Sequence, residues 1–224
     1  MGLDVILSAP TRPASHEPAA LRRWPEAARF TELTGLHIAD VTNLLHHLAG
    51  SGAFQRAAEM TWAALAAGRS VVTIGNGGGA ATASHCAADL AAAIADCAGP
   101  AHCGQVRSLA SDCATVTALA NDFGVDDMFA RQVRGAVRTG DVLLCYSVSG
   151  RSANVLRACA QARSAGGTSI AFVGRAPAAP HAIDLCVELP GVFYGSIEDA
   201  QQCATHMLAA YVHGAHKAIH RRVG

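Results

Sequence analysis

Along the 224-residue chain the rhythm of apolar positions changes once, near Gly68. From about Pro18 to Ala67 apolar residues recur at helical spacing, in PAALRRWPEAARFTELTGLHIADVTNLLHHLAG and SGAFQRAAEMTWAALAAG. Gly50 and Gly52 separate two of these segments, and Gly68 ends the last. Beyond it, short β-rich runs alternate with helical patterns. Strands are predicted at Ser70–Ile74, Gln105–Leu109, Asp141–Tyr146, Thr168–Val173 and Asp184–Leu189. Helices are predicted at Ala80–Ala95, Asp126–Val137 and Ser152–Ser164, with a last one from about Ile197 to His220. That alternation means right-handed βαβ units, hence an α/β fold with a parallel sheet. Residues 1–16 carry Pro, Ser and few anchors and read as a flexible tail; residues 17–224 read as a single domain.

Composition narrows the class of protein. Half of the residues are hydrophobic (51%) and only 15% are charged, so much surface is expected to be buried in a fold or an oligomer. The formal net charge is zero and there is no Lys/Arg run, which argues against a nucleic-acid partner. No stretch approaches the roughly 18 apolar residues of a membrane span. The eight cysteines lie mostly in apolar runs and form no CxxC pair, and the start, MGLDVILSAPTRP, lacks the features of a signal peptide. Reduced, mostly buried thiols and a cytoplasmic location are therefore expected.

In a parallel α/β sheet ligands sit at the carboxyl ends of the strands. Two loops lie there: GNGGG after the first strand and SVSGRS after the third. Glycines let the backbone approach an anion, and helix N-termini present free N–H groups and a positive dipole end. Ser147, Ser149 and Ser152 cluster around Gly150 immediately before a helix, which makes a phosphate cradle. Each loop alone also fits an ordinary turn, since Ser is a favoured cap. His85 and Asp89, spaced i, i+4, share one helix face; the plain alternative is a local hydrogen bond. Glu198, Gln202 and His206 follow at i, i+4 and i+8 on the last helix, where the alternative is a solvated or interface face. Glu198 and His206 are about 12 Å apart in helical rise, so they touch one ion only if Glu198 lies at or before the helix start. His213, His216 and His220 are expected at the surface.

The segments GNGGGAATASHCAADL, NDFGVDDMFARQV, GDVLLCYSVSGRSANVLRACAQARSAGGTSIAFVG and YGSIEDAQQCATH resemble the sugar isomerase (SIS) domain family. The branch they are most similar to is phosphoheptose (sedoheptulose-7-phosphate) isomerase, over roughly residues 36–216. The resemblance implies a three-layer αβα sandwich with a parallel five-stranded sheet, N-terminal helices, and a homotetramer with sites near subunit interfaces. It implies substrate binding by Asn76, Gly77, Asp122, Ser147, Ser149, Ser152 and Glu198. It places metal or catalytic positions on His85, Asp89, Glu198 and His206, often with zinc. This chain departs from the family pattern in having Asp89 where Glu is typical and Glu198 where Gln is typical. Gly79, Ala93 and Val148 stand where the family has Ser, Arg and Thr. The implied activity is aldose–ketose isomerisation of sedoheptulose 7-phosphate or a related seven- or eight-carbon sugar phosphate. It proceeds through an enediol, with Asp89 as base and His206 as partner acid. A non-catalytic SIS module that binds a sugar phosphate and regulates or assembles a protein partner is the alternative. An aminosugar-phosphate deaminase or synthase is disfavoured by the absence of a second SIS copy or a glutaminase domain.

Overall fold

The computed structural model describes residues 21–25, 29–95 and 104–223. Two helices come first, α1 (Phe30–Ala49) and α2 (Gly52–Ala66), joined by a turn in which the Ser51 hydroxyl caps α2 through Phe54 N at 3.2 Å. There follow β1 (Val71–Gly75), α3 (Gly78–Ile94), β2 (Val106–Ser108), α4 (Cys113–Phe123), α5 (Met128–Ala136), β3 (Val142–Ser147), α6 (Ala153–Ser164), β4 (Thr168–Val173), β5 (Leu185–Glu188) and α7 (Tyr194–Val223). All strand pairs are parallel, in the order β2-β1-β3-β4-β5.

Alternation along the strands builds two cores. Val71, Val142, Leu144, Tyr146, Ile170 and Phe172 face one side, where α1, α2, α3 and α7 pack. Val72, Ile74, Leu143, Cys145, Ala171 and Val173 face the other, against α5 and α6. The central strands β1 and β3 are buried throughout, which is why they read as continuous apolar runs. The three layers and the parallel five-stranded sheet of the sequence-based expectation are present.

The strand order reverses direction between β1 and β3. From β1 the chain crosses through α3 to β2 at one edge; from β3 it crosses through α6 to β4 on the opposite side. Right-handed crossovers in opposite directions put α3 and α6 on opposite faces of the sheet. The carboxyl ends of β1 and β3 therefore flank the switch point where such sheets bind ligands.

Several expected boundaries shift. The helical pattern read from Pro18 does not hold over residues 21–25, which are extended: Arg22 pairs with Phe193 in a parallel bridge, and α1 starts at Phe30. The last helix begins at Tyr194, three residues before the expected Ile197. The sequence reading missed α4 altogether. None of its residues is fully buried, so it has no strong apolar stripe, although Asp112 caps it through Thr115 N at 3.2 Å. His216, expected at the surface, is only 3% exposed and packs edge-on against the Trp62 ring. The expected tail at 1–16, and Cys97 and Cys103, lie outside the described residues. Among the described cysteines all are free thiols; Cys86, Cys145 and Cys159 are buried and Cys113 is exposed. No helix of the described residues is long and apolar enough to cross a membrane.

Candidate active site

The two loops at the switch point are tied together. Asn76, after β1, and Asn154, in the first turn of α6, exchange amide hydrogen bonds of 2.9 Å in both directions. Between the loops lies a cavity of about 160 Å³, lined by Asn76, Gly79, Ser147, Ser149, Ser152 and Glu198 together with Tyr146, Val148 and Tyr194. The N-termini of α3 and α6 both open at this cavity, from opposite faces of the sheet. Two positive dipole ends and their free N–H groups suit an anion.

The serine loop has the local geometry such a role needs. Gly150 has φ +63, and a Cβ there would stand 2.7 Å from the Arg175 carbonyl, so the turn needs glycine. The Ser147 and Ser152 hydroxyls lie 3.5 Å apart, and Ser149 Oγ accepts from Arg151 N at 3.2 Å. Ser152 occupies the N-cap position of α6, yet its hydroxyl makes no cap bond. The ordinary capped-turn reading thus does not account for Ser152, whose hydroxyl faces the cavity.

Gly77 takes φ +54 at the N-cap of α3, and Gly79 lies close under β3: a Cβ on Gly79 would meet the Tyr146 carbonyl oxygen at 2.8 Å. A side chain at this position would press on the backbone of β3. A Cβ on Gly78 would fall 2.4 Å from the Glu198 carboxylate, so Glu198 sits directly over the start of α3. The helix dipole favours its charge, but burial outweighs this and, with Asp199 nearby, holds its carboxyl above the usual value; Arg23 opposes the shift.

A second cluster lies further along the same two helices. α3 and α7 run parallel, so Glu198 meets Gly78 while His206 meets His85. His85 Nε2 is 3.0 Å from Asp89 Oδ2 and 2.9 Å from His206 Nε2; His206 Nε2 is 3.8 Å from Asp89 Oδ2. The two imidazole rings meet edge to face with centroids 5.0 Å apart. Gln202 Nε2 lies 3.1 Å from His206 Nε2. Sequence spacing had put Gln202 on this face without giving it a role; the contact places its amide against the His206 ring. The plain local pair foreseen for His85 and Asp89 exists, but a third residue from α7 joins it. The ligand atoms of His85, Asp89 and His206 lie within 4.8 Å of one another, two nitrogens and a carboxylate oxygen, which is the donor set of an open divalent-metal site such as that of zinc.

Glu198 stands apart from this trio. Four residues of α7 precede it, so it does not lie at or before the helix start, and about 12 Å of rise separates it from His206. It belongs to the cavity instead. Asp122 lies near the C-terminal end of α4, exposed, accepting from Asn121 Nδ2 at 3.0 Å, and is not among the residues lining the cavity. Asp40, which sequence reasoning did not single out, anchors the start of α7: its Oδ2 accepts from Val192 N at 3.0 Å, from Phe193 N at 3.3 Å and from the Ser196 hydroxyl. A larger groove, about 320 Å³, lies between Arg23–Pro25 and α1 and contains neither the serine loop nor the trio.

The sequence pattern of the SIS domain matches residues 37–174. The chain belongs to the SIS domain family. Its curated SIS relatives include the phosphoheptose isomerase of Streptomyces coelicolor, 41% identical over 169 residues, 71% of each chain. That of Rhodospirillum rubrum is 37% identical over 164 residues, 73% of this chain and 86% of the relative. Among solved SIS structures, a phosphoheptose isomerase from Neisseria gonorrhoeae superposes with a TM-score of 0.72 at 28% identity, covering 82% of this chain and 98% of the other. One from Francisella tularensis gives 0.71 at 23% identity, with the same coverage, and supports the fold.

Proposed function

We propose that this SIS protein is an aldose–ketose isomerase of sugar phosphates, with sedoheptulose 7-phosphate as substrate. The observation that carries the reading is the pairing of an anion cradle with an imidazole–carboxylate trio along one helix pair. The hydroxyls of Ser147, Ser149 and Ser152 and the first N–H groups of α6 hold the phosphate. Asn76 lines the same cavity, Gly77 follows it at the N-cap of α3, and Glu198 accepts from sugar hydroxyls over the start of α3. From Gly79 to His85 the helix rises about 9 Å, a span that suits an extended sugar phosphate of six to eight carbons better than a triose. The relatives named phosphoheptose isomerase support the same choice.

The reaction moves one proton between C1 and C2 and one between their oxygens. Asp89 takes the carbon-bound proton, exchanges it with solvent while the enediol is bound, and delivers a proton to the neighbouring carbon. His206, held by Gln202, supplies and recovers the oxygen-bound proton, so charge on the enediolate is neutralised as it forms. His85, Asp89 and His206 are also the residues that would hold zinc, which would polarise the carbonyl oxygen; a side chain holding the metal through the same atom does not also move the proton, so the metal role and the acid–base role are alternatives for Asp89 and His206. Glu198 joins that metal only if α7 shifts along α3. Asp122 reaches a substrate only from a neighbouring subunit. The protein acts as a homotetramer in the cytoplasm, as one SIS domain from residue 17 to 224, without a nucleic-acid partner.

The test is incubation with ketose and aldose phosphates of five to eight carbons, with and without chelator, followed by product analysis. Interconversion of the seven-carbon pair, lost or sharply reduced on metal removal, is expected. No turnover of any member, with binding retained, points to the regulatory module instead.

A further inference from the structure

Two buried hydroxyls directly behind the cavity are hydrogen-bonded to each other, with a buried thiol beside them. Tyr146 is 1% exposed, and its hydroxyl lies 3.0 Å from Thr205 Oγ1. Thr205, fully buried, donates to the Gln201 carbonyl at 3.1 Å, so it is Tyr146 that donates to Thr205. The Cys86 thiol, also fully buried, lies beside both hydroxyls. Burial pushes that thiol up to about 12, so it is no nucleophile.

A buried tyrosine needs a partner for its hydroxyl, and any core supplies one. What distinguishes this group is where its members stand in the chain. Cys86 follows His85 on α3, Thr205 precedes His206 on α7, and Tyr146 precedes Ser147 on β3. Each is the immediate neighbour of a residue in the trio or the cradle, and each comes from a different element. The Tyr146 ring is itself fixed by stacking on Phe172, with centroids 5.2 Å apart and planes 11° apart. His206 is held by Gln202 on its own helix and by His85 across to α3, at the exposed end of the same contact.

We propose that Tyr146 and Thr205, with Cys86, are positioning residues that lock the imidazole–carboxylate trio in register with the phosphate cradle. The inference rests on the isomerase reading for its kinetic consequence. A substrate anchored at Ser147 meets His206 correctly only if β3 and α7 keep their offset, and the Tyr146–Thr205 bond joins them one residue from each. Breaking the bond leaves phosphate binding intact and spoils the placement of the reacting carbons.

The variants are Tyr146→Phe, Thr205→Val, their combination, and Thr205→Ser. Tyr146→Phe keeps the stacked ring and Thr205→Val keeps the shape, so both fold; thermal unfolding confirms it. Misplacement short of 1 Å is expected to lower kcat about tenfold or more in each single variant. KM should stay within about twofold, because phosphate binding is shared by ground and transition states. The double variant should be no worse than the weaker single, since both remove one bond. Thr205→Ser, which keeps the hydroxyl, should retain most activity. Multiplying losses in the double variant, or unchanged kcat in the singles, overturns the proposal. An independent arm needs no turnover: the imidazole NMR signals of His85 and His206, without substrate. They should move in Tyr146→Phe and Thr205→Val but not in Thr205→Ser. Unmoved signals overturn the proposal. Displaced signals in a protein whose parent isomerises nothing support the positioning role and refute the isomerase reading.

Discussion

At the scale of single residues, the account places the chemistry on Asp89. Its carboxylate lies one helical turn from His85 and 3.8 Å from His206, close enough to share a proton path with either. Asp89→Asn keeps the shape and removes the base; turnover should fall by at least about a hundredfold with the fold intact. Asp89→Glu restores the side chain typical of the heptose enzymes but lengthens the arm by a methylene. Misplacement near 1 Å costs about a hundredfold, so activity should drop if the site is adapted to aspartate. Steady-state kinetics with circular dichroism on both variants checks this, and equal or higher activity in Asp89→Glu removes the adaptation argument. Glu198 gives a stability prediction. Its folded-state carboxyl is held above the ordinary value of 4.5, chiefly by burial. The charged form is thus disfavoured in the folded state. The stability tied to its neutral form is fully present below that ordinary value and is lost as pH rises through the higher one. Glu198→Gln has no such loss, so its urea midpoint should gain on the parent's between about pH 4 and pH 7. A constant difference across that range contradicts the assignment.

At the scale of elements, the parallel run of α3 beside α7 decides which residues meet. Sequence spacing put His85 with Asp89 and put Glu198, Gln202 and His206 on one face, but it does not say how two helices distant in the chain are offset. That offset brings His206 to His85 and leaves Glu198 over Gly78. The serine loop, by contrast, was legible, because its three hydroxyls and Gly150 are local to one strand-to-helix turn. Asp40 was not, since its partners lie more than 150 positions away. The glycines at the start of α3 carry separable predictions. At Gly79 a Cβ would press on backbone, the Tyr146 carbonyl, so Gly79→Ser should cost about 1–3 kcal/mol despite restoring the family residue. At Gly78 a Cβ would press on the end of the Glu198 side chain, which can swing away. Gly78→Ala should therefore leave the melting temperature nearly unchanged and weaken substrate binding. Comparable destabilisation by both substitutions contradicts this geometry.

At the scale of the whole molecule, the hydrophobic rhythm carried the fold class because the central strands are buried on both faces and the helices between them are amphipathic. It failed at α4, which buries nothing fully in one chain. Exposed apolar side chains remain at Trp24, Phe30, Ile38, Phe123 and Val125, and His85 and His206 are about half exposed. Further copies of the chain would cover those surfaces, and on the proposed reading light scattering at micromolar concentration should give an oligomer, with a tetramer expected; a stable monomer contradicts it. The central claim is that the cradle and the trio form one site for proton transfer on a phosphorylated sugar. The most direct measurement is turnover of sedoheptulose 7-phosphate in deuterium oxide, with the position of deuterium in the product read by NMR. The account predicts deuterium at the carbon that receives the proton in the parent, almost none in Asp89→Asn, and none from unphosphorylated sedoheptulose. Equal labelling of the unphosphorylated sugar, or undiminished labelling by Asp89→Asn, would contradict it.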